Sequence, residues 1–142
     1  MEILMKLVDG GKMPEYKTDG AACCDCYARL ITPFITIPKN SRLLINLGFC
    51  LELPKGYEAV IRPRSGNSLK GLCIETGTID SDYRGEVKAC LVNNTGGEIN
   101  LANLERICQM KIQEAKQYTF KLVDELSETS RGENGFGSTG AA

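Results

Sequence analysis

Three stretches of this chain gather side chains suited to binding an anion or to acid–base chemistry. RPRSGNSLKG, Arg62 to Gly71, sets two guanidiniums and a hydroxyl at the end of an apolar run. Arg forks match phosphate oxygens, and a short helical turn expected from Ser65 to Gly71, capped by Ser65 and stopped by Gly71, adds free N–H groups. GTIDSDYRGE, Gly77 to Glu86, places Asp80 and Tyr83 at the close of an apolar strand, where a bend could turn both side chains into one pocket. RGENGFGSTG, Arg131 to Gly140, spaces Gly132, Gly137, Ser138 and Thr139 much like the phosphate loop GxxxxGK[ST]. It lacks that loop's Lys, and with only Ala141 and Ala142 after it no helix can follow. The chain has no His, so acid–base work falls to carboxylates, Cys, Tyr or Lys. Each stretch also has a plainer reading. DSDYRG is the composition of a solvated turn, and Arg64 can pair with a carboxylate such as Glu105 while Ser65 merely caps a helix.

A fourth stretch, CCDC at Cys23 to Cys26, contains a CxxC pair. Structural zinc needs a second pair of ligands, and a thioredoxin-like pair needs a helix starting at the motif. The β-branched, Pro-containing sequence that follows offers none, so the cysteines are expected to be small buried side chains. Seven cysteines, an odd number, with no secretory h-region in MEILMKLVDG, point to reduced thiols and an intracellular, cytoplasmic location.

The elements that must position these groups are short. Apolar or alternating runs of strand length recur between turn residues: EILMKLV, FITI, RLLINLGFCLEL, YEAVIRP, CIETGTI, EVKACLVNN, INL and RICQMKIQEA. Pro33, Pro38, Pro54-Lys55-Gly56 and Asn94 to Gly97 punctuate them. The pattern predicts an all-β barrel or sandwich with one short helix at Ser65 to Gly71. At 142 residues, 42% hydrophobic and 25% charged, one domain with a real core is expected. After Phe120 the texture becomes polar and Gly-rich, giving a β-domain over 1–122 and a mobile C-terminal arm over 123–142. A net charge of −1 gives no support to nucleic-acid or membrane attraction, and no apolar run approaches membrane-spanning length.

Taken together, the stretches resemble the trimeric dUTPases, deoxyuridine triphosphate nucleotidohydrolases. That family carries five motifs in fixed order. TDGAACCDCYA resembles the first, PRSGNSLKG the second, GTIDSDYRGE the third, LERICQ the fourth and RGENGFGSTG the fifth, covering the chain from about Ala21 to Gly140. The resemblance implies a jelly-roll-like β-barrel, a homotrimer with active sites shared between subunits, and hydrolysis of dUTP to dUMP and pyrophosphate. That reaction keeps uracil out of DNA and supplies dUMP for dTMP synthesis.

Residue by residue, the resemblance implies that Asp80 activates a water for in-line attack on the α-phosphorus. Tyr83 packs against the deoxyribose and excludes a 2′-hydroxyl, and the main chain around Gly77, Ile79 and Tyr83 reads the uracil edge. Arg64, Ser65, Gly66 and Gln109 meet the α- and β-phosphates. From the arm, Arg131, Gly137, Ser138 and Thr139 meet the γ-phosphate and Phe136 stacks on the base. An extended segment from Val123 to Asn134 spans up to about 40 Å, far enough to reach a second protomer. Mg²⁺ is the implied cofactor, held by triphosphate oxygens and water rather than directly by the protein, with Asp25 acting at most through a water. Two departures stand out. Cys23, Cys24 and Cys26 surround Asp25 where the family has Gly and larger apolar residues, so a positive φ at Cys23 would store about 1–2 kcal/mol. Leu104-Glu105 replaces a common Gly-Asp, altering a turn. A dCTP deaminase and a nucleotide-binding or signalling use of the same scaffold are the alternatives; retention of Asp80, Tyr83, Arg131 and Phe136 points to the hydrolase.

Overall fold

The computed structural model describes residues 1–69 and 71–137. Eleven strands and one five-residue helix follow in chain order: β1 Leu4–Leu7, β2 Cys24–Tyr27, β3 Phe34–Ile37, β4 Ser41–Asn46, β5 Phe49–Glu52, β6 Tyr57–Pro63, α1 Ser65–Leu69, β7 Leu72–Ile74, β8 Gly77–Ile79, β9 Lys88–Asn93, β10 Ile99–Ala102 and β11 Arg106–Glu114. All strand pairings among the described residues are antiparallel, and the sheets run β2-β11-β6-β8, β4-β9-β7, β10-β3 and β1-β5. Their inner faces meet on a core that includes Ile37, Ile45, Leu47, Phe49, Ile61, Leu91, Leu101 and Ile107. Alternation builds that core: in β9, Ala89, Leu91 and Asn93 are buried while Lys88 faces solvent. Buried Asn93 is satisfied throughout, donating to the carbonyls of Ile37, Pro38 and Gly97 and accepting from Thr95.

The β-architecture and the short helix match the sequence expectation, with instructive differences. RLLINLGFCLEL divides at Leu47-Gly48 into β4 and β5, which join different sheets, and CIETGTI divides into β7 and β8. CDCY, expected only as a motif, is the fully buried strand β2. Its polar Asp25 breaks the apolar run by which a strand is recognised, and thiols stand where larger apolar side chains are usual. Cys24, Cys26 and Cys108 are buried, with Cys26 and Cys108 opposite one another across β2 and β11. The Cys108 and Cys24 sulfurs and burial push the Cys26 thiol up, holding it neutral and unreactive.

Cys23 is not among the residues with positive φ, so the strain expected there is absent. It lies instead at Leu104, with φ of 64°. The turn Ala102 to Glu105 closes through the Glu105 N–H on the Ala102 carbonyl, 3.2 Å, and Leu104 occupies its third position. An L-residue there costs about 1–2 kcal/mol that glycine escapes. Leu104→Gly is therefore expected to be more stable than Leu104→Ala by about 1 kcal/mol in equilibrium urea unfolding, the reverse of the order at an ordinary site. If Ala equals or exceeds Gly, the turn carries no such strain.

Candidate active site

Three sequence motifs converge at one end of the four-stranded sheet. β6 ends at Pro63, and the chain turns through Arg64 into α1. The Ser68 N–H and hydroxyl both donate to the Arg64 carbonyl, each at 3.1 Å. The helix cap is thus Arg64 rather than Ser65, which leaves Ser65 and Gly66 exposed. Gly71 ends the turn as expected, its N–H donating to the Ser68 carbonyl at 3.1 Å.

Beside α1, Gln109 on β11 lies opposite Asp25 on β2 and Arg62 on β6. Asp25 is 5% exposed. Its Oδ2 accepts from Arg106 Nη1 at 3.0 Å, while Gln109 Nε2 stands 3.5 Å from Oδ1. The Asp25 main chain exchanges both hydrogen bonds with Glu15, fixing this stretch of β2. Arg64 Nη1 in turn donates to the Arg106 carbonyl at 3.2 Å, not to Glu105. The buried carboxylate therefore holds Arg106, and Arg106 steadies Arg64, linking the first, second and fourth motifs. A half-exposed cation tied to a buried anion is oriented, which suits an anion-binding surface. The Asp25–Arg106 pair spans 81 positions, so no local signal in the sequence shows it.

The third motif occupies the opposite end of the sheet. β8 is an edge strand whose only strand neighbour among the described residues is β6, so one side of its backbone presents unpaired N–H and C=O groups. Asp80 follows β8 and is exposed; the Tyr83 N–H donates to its carbonyl at 3.2 Å, closing the turn. Tyr83 is 43% exposed, and its hydroxyl donates to the Glu86 carbonyl at 3.0 Å. An open cleft of about 970 Å³ lies beside this turn, lined by residues including Tyr57, Glu58, Asp80, Arg84, Lys116 and Tyr118.

The two ends are far apart. Ala59 pairs with Ile79, so Asp80 stands level with Glu58, whereas Arg64 lies beyond the far end of the same strand. Six residues of strand separate those levels, about 20 Å. The chain brings Asp25, Arg64, Arg106 and Gln109 together, and Asp80 with Tyr83, but it does not bring the two groups together.

Beyond Glu114 no strand or helix occurs among the described residues. Phe120, Leu122, Leu126 and Phe136 are almost wholly exposed. Arg131 Nε donates to the Asn134 carbonyl at 2.7 Å in a local turn, and Phe136 and Gly137 both have positive φ. Ser138 and Thr139 lie outside the described residues. Among the described residues, no group of three or more Cys, Asp or Glu side chains is arranged to hold a metal, and no helix is long and apolar enough to cross a membrane.

Comparison with known proteins shows the family and the fold. The dUTPase family model matches residues 9–140. A Treponema denticola protein named deoxyuridine 5'-triphosphate nucleotidohydrolase is 46% identical over 145 residues, covering 100% of both chains. One of the same name from Chlamydia pneumoniae is 42% identical, again covering 100% of both. Among solved structures, Staphylococcus bacteriophage 80alpha dUTPase with dUPNHPP superposes with a TM-score of 0.89 at 26% identity, covering 99% of each chain. A mutant dUTPase of Staphylococcus aureus phage phi11, described with a structural Mg(II) ion, shares the fold with a TM-score of 0.81 at 21% identity, covering 90% of this chain and 100% of that one. With a family match across nearly the whole sequence and full-length relatives above 40% identity, the chain belongs to the dUTPase family and has its jelly-roll-type all-β fold.

Proposed function

We propose that the chain hydrolyses dUTP to dUMP and pyrophosphate at sites shared between the subunits of a homotrimer. The carrying observation is the exposed Asp80 carboxylate beside the open edge of β8, on a chain of this family. Asp80 takes a proton from a water whose oxygen attacks the α-phosphorus; the bond to the bridging oxygen breaks in line, and pyrophosphate leaves with that electron pair. Main-chain groups from Gly77 through Ile79 to Tyr83 pair with the acceptor–donor–acceptor edge of uracil, and the Tyr83 ring lies against the deoxyribose. Arg64, Ser65, Gly66 and Gln109 hold the α- and β-phosphates. Arg131, Gly137, Ser138 and Thr139 of the arm, residues 123–142, hold the γ-phosphate while Phe136 covers the base. The product serves dTMP synthesis, and removing dUTP keeps uracil out of DNA.

Mg²⁺ fits this donor set as an ion carried by the triphosphate. Both oxygens of Asp25 face Arg106 and Gln109, which supports a role through those side chains or through a water rather than as a direct ligand. The cation supplies charge neutralisation along the phosphates.

The roughly 20 Å between Asp80 and Arg64 supports a shared site, because one triphosphate nucleotide must meet both and a second protomer can supply the missing half. Exposed apolar side chains on the strands, Phe34 and Leu44, and along the arm supply surface for such an assembly. Seven free cysteines suit a reducing, cytoplasmic compartment.

The test is pyrophosphate release from dUTP, dCTP, dTTP and UTP. Cytosine puts an amino donor where uracil has an acceptor, leaving a buried main-chain N–H unpaired, so kcat/KM for dUTP should exceed that for dCTP by on the order of 10³-fold or more. No release from dUTP, or equal release from dCTP, would refute the assignment.

A further inference from the structure

Tyr83 can serve as a sugar gate only if its ring stands in one place, yet it sits on an exposed turn with a phenol free to rotate about two bonds. The structure contains a device that removes this freedom. The Tyr83 hydroxyl is tied to the Glu86 carbonyl, and Glu86 is anchored from both of its ends. Its side chain receives a two-pronged grip from Arg29, with Nε 3.0 Å from Oε1 and Nη2 2.8 Å from Oε2. These side chains are only 17% and 14% exposed, so water competes poorly for them. On the main-chain side, the next residue, Val87, is stitched to the barrel by its N–H on the Phe49 carbonyl, 2.8 Å, and its carbonyl on the Leu47 N–H, 2.9 Å. Arg29 is held likewise, its N–H donating to the Asn46 carbonyl at 2.7 Å. The acceptor for the tyrosine hydroxyl is therefore anchored to the barrel, although it lies in a loop.

The ring reaches that acceptor only because residue 85 has no side chain. A Cβ at Gly85 would lie 2.6 Å from Tyr83 Cζ and 3.0 Å from Cε2, and closer still to the hydroxyl oxygen. Gly85 is not among the glycines with positive φ, so backbone conformation does not demand glycine here. What demands it is the space taken by the tyrosine ring.

We propose that Gly85, Glu86 and Arg29 are positioning residues that fix the Tyr83 ring and thereby set the preference for deoxyribose over ribose. The proposal rests on the reading of Tyr83 as the sugar gate. A methyl group at Gly85 meets the far end of a movable side chain rather than backbone, so Gly85→Ala displaces the ring and leaves the fold intact. Arg29→Gln removes the fork and loosens the Glu86 anchor without adding bulk.

The experiment compares kcat/KM for dUTP and UTP in wild type, Tyr83→Ala, Gly85→Ala, Arg29→Gln and the Tyr83→Ala/Gly85→Ala double variant. The expected result is a preference for dUTP reduced on the order of tenfold in Gly85→Ala, shifted the same way in Arg29→Gln, and no further change when Gly85→Ala is added to Tyr83→Ala. A merely structural role for Gly85 would lower both substrates together and leave their ratio alone. If Tyr83→Ala loses the preference while Gly85→Ala and Arg29→Gln keep it, the positioning proposal is overturned and the gate stands. If Gly85→Ala shifts the ratio equally in both backgrounds, it does not act through Tyr83 and the proposal is likewise overturned. If Tyr83→Ala keeps the preference, the gate itself is wrong and the proposal falls with it. Should Gly85→Ala fail to fold, the Arg29→Gln ratio decides alone.

Discussion

Asp80→Asn is expected to lower kcat for dUTP by on the order of 10³-fold while KM stays within a few-fold of wild type. The substitution keeps the shape of the side chain and its capacity to hold a water by hydrogen bond, but an amide does not accept the proton released as the water attacks. Loss of a positioned general base typically costs between 10² and 10⁴ in rate. The fold does not depend on this carboxylate: Asp80 is exposed, makes no ion pair among the described residues, and holds the turn through its main-chain carbonyl. The groups proposed to hold the phosphates lie elsewhere, so ground-state binding has little reason to weaken. Steady-state pyrophosphate release, with a nonhydrolysable dUTP analogue titrated to confirm binding, separates the two quantities. Turnover retained within tenfold would remove Asp80 from the proton transfer, whereas loss of analogue binding would recast it as a binding residue.

The chemistry of this chain was more legible in its sequence than its geometry, and the difference follows from distance along the chain. Punctuation by Gly and Pro and alternation in runs such as KACLVN are local, and they marked the all-β class and the turn that closes at Gly71 after α1. The motifs are local as well, so Asp80, Tyr83 and Arg64 could be singled out. What could not be read was register. Asp25 with Arg106, and Arg29 with Glu86, are brought together across 81 and 57 positions by strand pairing and barrel closure. The same ladder puts Asp80 and Arg64 at opposite ends of β6. Strain was misplaced for a related reason: a glycine missing from the first motif drew attention to Cys23, but of the two motif departures it is Leu104 that takes a positive φ. Strand β2 escaped notice because its inward residues are thiols flanking a buried carboxylate rather than Val or Ile.

That separation along β6 has its largest consequence when defective chains are mixed. Asp80→Asn and Arg64→Ala, each made alone, are both expected to be nearly inactive, the first for want of a base and the second for want of a charge on the transferring phosphate. When the two are unfolded together and refolded as a mixture, a site that draws the base from one subunit and the guanidinium from another is intact in about a quarter of random pairings. Activity should therefore rise from near zero to about a quarter of the wild-type value, with no wild-type chain present. A site complete within one chain gives no recovery, because every protomer still carries a defect. The same pairing of Asp80→Asn with a chain cut after Ser130 asks whether the arm also crosses between subunits: recovery places Arg131 and Phe136 over a neighbour's site, and its absence returns them to the chain that carries the base. The Arg64→Ala change removes one hydrogen bond to the Arg106 carbonyl and leaves the Asp25–Arg106 pair standing. Each defect thus stays within its own half-site, which is the condition that makes recovery interpretable.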